Sequence, residues 1–219
     1  MSDPNDDVPV VTPEVSAPTK ASKAKKEEKV MAFETKIAKI KIRGTSPLIV
    51  HKWSTKAKNM MLAKQQKKTV AKVAKDPQQD FEDSLYRLPG DLYGFPSIGF
   101  KCSAVRAGKG VGLAMTDARS AFRVDGEFVK IDGTPVARED MVRLETGVAD
   151  IRYRGQFTEW EAEFTVTYNA VMIDLQQLGV LFNAAGFGVG IGEWRPERNG
   201  QYGTFEVVSI EETDQHIYW

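Results

Sequence analysis

The stretch Trp160-Glu161-Ala162-Glu163-Phe164-Thr165-Val166-Thr167-Tyr168 alternates without a break. Trp160, Ala162, Phe164, Val166 and Tyr168 fall on one face. Glu159, Glu161, Glu163, Thr165 and Thr167 fall on the other. A two-residue period is the pattern of a strand with one buried and one solvated face, and it predicts a strand over residues 156–168. Downstream, Asp174 is placed to cap a helix with Leu175, Leu178, Leu181 and Phe182 inward. Residues 203–210 read as the last strand, and Ile217-Tyr218-Trp219 is an apolar segment that should dock on the fold.

Upstream, Ala38, Ile40 and Ile42 alternate with Lys39, Lys41 and Arg43, which predicts a strand over 32–43. Gly44-Thr45-Ser46-Pro47 breaks it, and residues 48–53 form a short apolar continuation or loop. Ser54 or Thr55 can cap a helix to about Lys75. Its apolar stripe (Met61, Leu62, Val70, Val73) is thin, which makes it peripheral, and Asp76-Pro77 ends it. Residues 78–96 read as loop with a short strand at 93–95. Pro96-Ser97 opens a second helix with Ile98, Cys102 and Val105 inward and Lys101 and Arg106 outward, ended or interrupted at Gly108–Gly112. Asp125-Gly126 between Phe122–Val124 and Phe128–Ile131 predicts a hairpin. Residues 141–145 and 150–154, the latter with Arg152 and Arg154, are further strand candidates.

The core order is strand, helix, strand, strand, helix, strand. That predicts an α+β protein with a ferredoxin-like (βαββαβ, RRM-like) core. Residues 32–219 form one domain in this reading, with insertions at about 76–96 and 121–154 that include β-hairpins. Residues 1–31, with scattered prolines and a Lys/Glu run, read as a disordered N-terminal arm. The first and third core strands should be neighbours. Their polar faces would set Lys39, Lys41 and Arg43 beside Glu159, Glu161 and Glu163.

The chain has 219 residues, 42% apolar and 27% charged, as expected of a soluble globular protein. No apolar run reaches the about 18 residues of a membrane span. Neither a membrane partner nor a secretory signal is expected, and a cytoplasmic setting is. A single cysteine, Cys102, excludes an internal disulfide and a cysteine zinc cluster; its helical context predicts a buried thiol. No metal motif and no cofactor motif is present. Net charge is zero, yet the window from Thr35 to Lys75 holds twelve Lys and Arg and no acid. Such asymmetry points to a local anionic partner, or to a basic surface docking on an acidic one of the next subunit.

A glycine-rich stretch, Gly186-Phe187-Gly188-Val189-Gly190-Ile191-Gly192-Glu193-Trp194-Arg195-Pro196, joins the last helix to the last strand. It follows a helix, and Glu193 stands where a dinucleotide fingerprint needs Gly or Ala. The Gly108-Lys109 pair is followed by Gly110, not Ser or Thr, so no phosphate-binding P-loop is present. Two readings stay open: clustered main-chain N–H groups forming an anion nest, or a tight connection packed against the sheet.

Three features resemble the RAMP superfamily, ferredoxin-like proteins best known as CRISPR RNA-binding subunits. They are the first strand followed by Pro47-Leu48-Ile49-Val50-His51, the helix entry Phe95-Pro96-Ser97-Ile98-Gly99-Phe100-Lys101, and the glycine-rich 186–192 loop leading into Trp194-Arg195. The basic helix over 54–75 departs from that family. The phrase Pro47–Ser54 also resembles uncharacterised phage proteins, which would place the chain in a host cytoplasm.

The leading expectation is a non-catalytic single-stranded nucleic-acid binder, for RNA or DNA, assembling along the strand as a homo-oligomer or a subunit of a nucleoprotein assembly. Backbone contacts would come from Lys52, Lys56, Lys64, Lys68, Lys101, Arg106, Arg195, Arg198 and the loop glycines Gly186, Gly188, Gly190 and Gly192. Trp53, Phe187 and Trp194 are the stacking candidates. The resemblance implies a second reading, a RAMP-type endoribonuclease using His51, whose type suits acid–base work. Its apolar neighbours Ile49, Val50 and Trp53 favour a packed or hydrogen-bonded histidine instead. A third reading is a phage structural or assembly protein.

Overall fold

A computed structural model describes residues 33–68, 74–143 and 147–219. The predicted arm, together with Val70, Lys72, Val73 and the end of the 141–145 strand candidate, lies outside the described residues. In chain order the elements are β1 (Thr35–Gly44), β2 (Leu48–Val50), α1 (Thr55–Gln65), α2 (Pro77–Ser84), β3 (Arg87–Leu88), β4 (Leu92–Pro96), α3 (Ser97–Ala107), α4 (Met115–Ala121), β5 (Phe122–Val124), β6 (Phe128–Asp132), β7 (Pro135–Arg143), β8 (Ala149–Phe157), β9 (Glu161–Asn169), α5 (Leu175–Gly188) and β10 (Phe205–Thr213).

The class is α+β with antiparallel sheets. The large sheet runs β10-β1-β9-β6-β4-β3, with β5 also paired to β9; a smaller sheet runs β2-β8-β7. Helices α3 and α5 cover one face of the large sheet. Alternation along β1 and β9 supplies the floor, with Ala38, Ile40, Ile42, Ala162, Phe164, Val166 and Tyr168 buried. The helices supply the roof, through Phe100 and Ala104 on α3 and Leu178, Leu181, Phe182 and Ala185 on α5. The rings of Phe100, Phe164 and Phe182 meet at centroid distances of 5.1 and 5.6 Å. Burying each such side chain contributes about 1.5–3 kcal/mol.

Several expectations change once the chain is folded. The predicted 156–168 strand is two strands in two sheets. The chain turns at residues 158–160 because Trp160 folds over Gly44 and its indole Nε1 donates to the Ser46 carbonyl at 2.9 Å. Glu159 therefore leaves the ladder. The cross-strand charges survive in a shifted form: Lys41 and Arg43 both reach Glu161 at 2.9 Å, while Lys39 pairs with Glu211 of β10 at 2.8 Å.

The Asp125-Gly126 hairpin does not form. β5 and β6 do not pair with each other; both pair with β9, so residues 125–127 are a bulge within one strand position. Asp125 is buried and accepts from the Thr167 hydroxyl at 2.8 Å, an anchor a hairpin turn could not make. Asp76 begins a helix instead of ending one. Its carboxylate accepts from the N–H groups of Gln78 and Gln79, and Pro77 occupies the first helical position, where its missing N–H costs nothing. On α3 the buried face follows Phe100, Ser103, Ala104 and Ala107; Ile98 and Cys102 are exposed, so the cysteine is not a buried thiol. Helix α1 ends at Gln65 and buries no residue, as a thin apolar stripe requires.

Candidate functional site

Strand β2 ends at Val50, and the next residue, His51, is half-buried between two clefts. The larger, of about 840 Å³, is lined by Lys52, Trp53, Lys56 and Met60 on one side and by Asp80, Asp83 and Tyr153 on the other. The smaller, of about 200 Å³, lies between α3 (Gly99, Cys102, Arg106) and the glycine-rich segment (Gly190, Gly192, Arg195). Two local bonds set the loop between β2 and α1. The Lys52 N–H donates to the Ser84 carbonyl at 2.9 Å, and the Ser54 hydroxyl caps α1 by accepting from the Ala57 N–H at 3.1 Å. Trp53, between those anchors, is 61% exposed.

The glycine-rich stretch is less of a loop than its composition suggests. Gly186, Phe187 and Gly188 are the last turn of α5, not loop residues. Gly186 is buried where a Cβ would strike the Phe205 carbonyl oxygen; Gly188 faces open space and Phe187 is exposed. The real loop begins at Val189. The N–H groups of Val189 and Gly190 donate to the Ala185 carbonyl, that of Ile191 to Gly203 and that of Glu193 to Ile49. With these donors committed to protein carbonyls, they form no anion nest. The packed-connection reading describes them. Gly192, at φ +75°, lies against the Ile49 carbonyl, a position with no room for a side chain and a backbone angle that favours glycine.

The expected cations differ in how they are held. Arg106 and Arg195 both grip Glu197 at 2.9 Å, and Arg195 also donates to the Gly192 carbonyl. Lys56 lies 3.6 Å from Asp80. Arg198 is exposed, and Lys101 is half-buried on α3. Lys64 and Lys68 lie at the far end of α1 and beyond it, outside both clefts. Trp194, at φ +55°, is 43% exposed. The fold therefore gathers Lys52, Trp53, Lys56, Arg106, Gly190, Gly192 and Arg195 around His51, and leaves Gly186, Phe187, Gly188, Lys64 and Lys68 elsewhere.

The residue that joins these parts was not singled out by the sequence. Arg154 of β8 is 2% exposed. Its Nη1 donates to Asp140 at 2.9 Å, its Nε lies 3.5 Å from His51 Nδ1, its Nη2 lies 3.8 Å from Glu193, and its guanidinium lies 5.8 Å from the Trp194 ring centroid. Asp140 also accepts from Arg138 at 2.8 Å. Arg138 and Asp140 alternate on β7 as Arg152 and Arg154 do on β8. Only the β7–β8 register places Arg138 opposite Arg154 and Asp140 opposite Arg152.

Burial, and then the positive charge of Arg154, push the His51 pKa below the ordinary histidine value, against a smaller opposing pull from Glu193. His51 is therefore neutral near pH 7, with Nδ1 facing the Arg154 donor. The folded state resists protonation here more than the unfolded chain does. His51 thus contributes stability that is complete above about pH 6.5 and is lost as pH falls from there through the depressed value. A His51→Gln variant should lose less stability than wild type between pH 7.5 and pH 5.5. Urea unfolding of both proteins at the two pH values measures this, and equal losses would refute it.

Comparisons with known proteins give structural likenesses only. No family profile matches the chain, and no curated protein matches it. The chain is similar to one in the cryo-EM structure of the Type III-B Cmr-beta bound to cognate target RNA, at 12% identity and a TM-score of 0.46. That likeness covers 81% of this chain and 60% of the other. It is also similar to the crystal structure of Cmr6 from Pyrococcus furiosus, at 8% identity and a TM-score of 0.41. Here 80% of this chain and all of the other are covered. Among the described residues, no helix is long and apolar enough to cross a membrane.

Proposed function

We propose that this protein is a non-catalytic binder of single-stranded nucleic acid that works within a nucleoprotein assembly. The observation that carries the reading is Trp53, 61% exposed and lining the larger cleft with Lys52 and Lys56. A tryptophan left in water beside cations, while Trp160 is buried in the core, supports stacking on an unpaired base. Trp194 offers a second exposed ring, beside the Arg154 guanidinium. Phosphates would be met by Lys52, Lys56, Lys101, Arg106, Arg195 and Arg198. The strand order β10-β1-β9-β5, with every neighbour antiparallel, supports a ferredoxin-like core beneath this surface.

The reading is tested by fluorescence anisotropy of labelled single-stranded RNA and DNA at two salt concentrations. Binding that weakens with salt, and weakens further in Trp53→Ala, is expected. Binding indifferent to both salt and Trp53 would overturn it. A second result follows from Glu197, which holds Arg106 and Arg195. Glu197→Gln should free both guanidinium groups and tighten binding by about fivefold at low salt, equivalent to roughly 1 kcal/mol. It should also steepen the salt dependence. Affinity unchanged in Glu197→Gln would remove the two arginines from the interface.

A further inference from the structure

The alternation of β9 assigns Thr165 and Thr167 to the face opposite the helices, yet both are buried. The segment 214–219 lies against Thr165, and Asp125 lies against Thr167. The Ile217 N–H donates to the Thr165 hydroxyl oxygen at 3.0 Å, and that hydroxyl lies 3.4 Å from the Ile217 carbonyl. Asp125, presented by the bulge between β5 and β6, lies 2.9 Å from His216 Nδ1. Gly126, at φ +77°, lets the strand bend there, and the backbone of Tyr218 and Trp219 passes close to it.

These anchors are made by backbone and imidazole, and they leave the aromatic rings turned outward. The His216 and Tyr218 rings stack at 5.3 Å and 17°. Tyr218 is 67% exposed, so the face away from His216 is open to a further ring. Lys130 lies 5.5 Å from the Trp219 ring centroid. Arg123, across from Thr167 on the same face, reaches into solvent with its guanidinium 3.5 Å from Asp125. Lys39, paired with Glu211, is opposite Thr165 in the ladder.

We propose that the docked 214–219 segment is a second stacking platform, on the open face of the large sheet, for unpaired bases of single-stranded nucleic acid. It rests on the binding function proposed above but uses a different surface. The aromatic residues of β9 itself point into the core, so this central strand has no ring of its own to offer a base on the open face. The segment supplies rings there: the next base continues the His216–Tyr218 stack, and its phosphates meet Arg123 and Lys130. A segment whose role was packing would bury Tyr218 and Trp219 and expose its backbone. Here the Ile217 backbone is bonded to the sheet and Tyr218 is exposed.

The test compares wild type, Tyr218→Ala/Trp219→Ala, Tyr218→Phe, Arg123→Ala and Trp53→Ala. The probes are labelled uridine and thymidine oligomers of about 30 nucleotides, a length chosen to exceed the 4–16 nucleotide sites of single folds. The double alanine variant should bind at least tenfold more weakly, with its thermal midpoint unchanged. Tyr218→Phe should bind as wild type, and Arg123→Ala should show a shallower salt slope. Wild-type affinity in the double variant, beside weakened binding in Trp53→Ala, would overturn the platform and leave the cleft reading intact. A loss of affinity explained by a lowered thermal midpoint, and not rescued by Tyr218→Phe, would also overturn it. No binding by wild type at low salt would instead refute the binding function itself.

Discussion

Replacing Arg154 with Met should destabilise the protein by about 3 kcal/mol, the lower end of the range for breaking a buried ion pair. The guanidinium is almost fully buried and bonds Asp140, which is itself buried. Asp140 keeps Arg138 as a partner, which holds the loss to that lower end. Methionine fills much of the volume but supplies no donor to the remaining carboxylate oxygen, whose desolvation then goes uncompensated. The double variant Arg154→Met/Asp140→Asn should be less destabilised than the sum of its parts, with a coupling of about 1.5–3 kcal/mol. Urea unfolding of the four proteins at pH 7 measures the cycle. A cost under about 1 kcal/mol for Arg154→Met would mean that water replaces the guanidinium, and the network would then not be what holds His51, Glu193 and Trp194 together. The nucleic-acid binding proposed above should fall in the same variant, because Trp194 loses the guanidinium beside its ring.

The second large effect contrasts two glycines two residues apart. Gly186→Ala should cost about 2–3 kcal/mol, since its Cβ would strike the Phe205 carbonyl and push α5 away from the start of β10. Gly188→Ala should be neutral or stabilise by about 0.5 kcal/mol, because the site is open, helical, and gains from lower backbone entropy in the unfolded chain. Both are read by thermal or urea unfolding. Equal effects at the two positions would contradict the close approach of α5 to β10. The contrast also separates a packing glycine from one that composition alone marks as functional.

That stretch illustrates how far residues can be read without coordinates. Alternating glycines signal that something comes close. They do not say whether it is a phosphate or the protein's own backbone, and here the Ile49, Ala185 and Gly203 carbonyls take the donors. The cluster of basic residues around Trp53 was legible, because charge along the chain is a local property; the exposure of Trp53, at the end of an apolar run, was not. Nor was Arg154, because a charged residue on a strand is solvated or buried according to what the facing elements bring.

The local pattern determined the elements that alternate or wind over their own length: β1, β9, α5, β10 and most of α3, with α1 as a surface helix. It also determined the α+β class, the absence of an internal disulfide and the concentration of positive charge between Thr35 and Lys75. Periodicity reports which residues share a face, and apolar burial then chooses that face for the core. Tertiary structure alone decided what meets across long stretches of chain. Arg154 finds His51 at a separation of 103 residues, Ile217 finds Thr165 at 52, and Asp125 finds His216 at 91. It also turned the expected Asp125-Gly126 hairpin into a bulge, in which Asp125 anchors Thr167 and His216. Such pairings depend on register and on loop closure, quantities that no window of sequence contains.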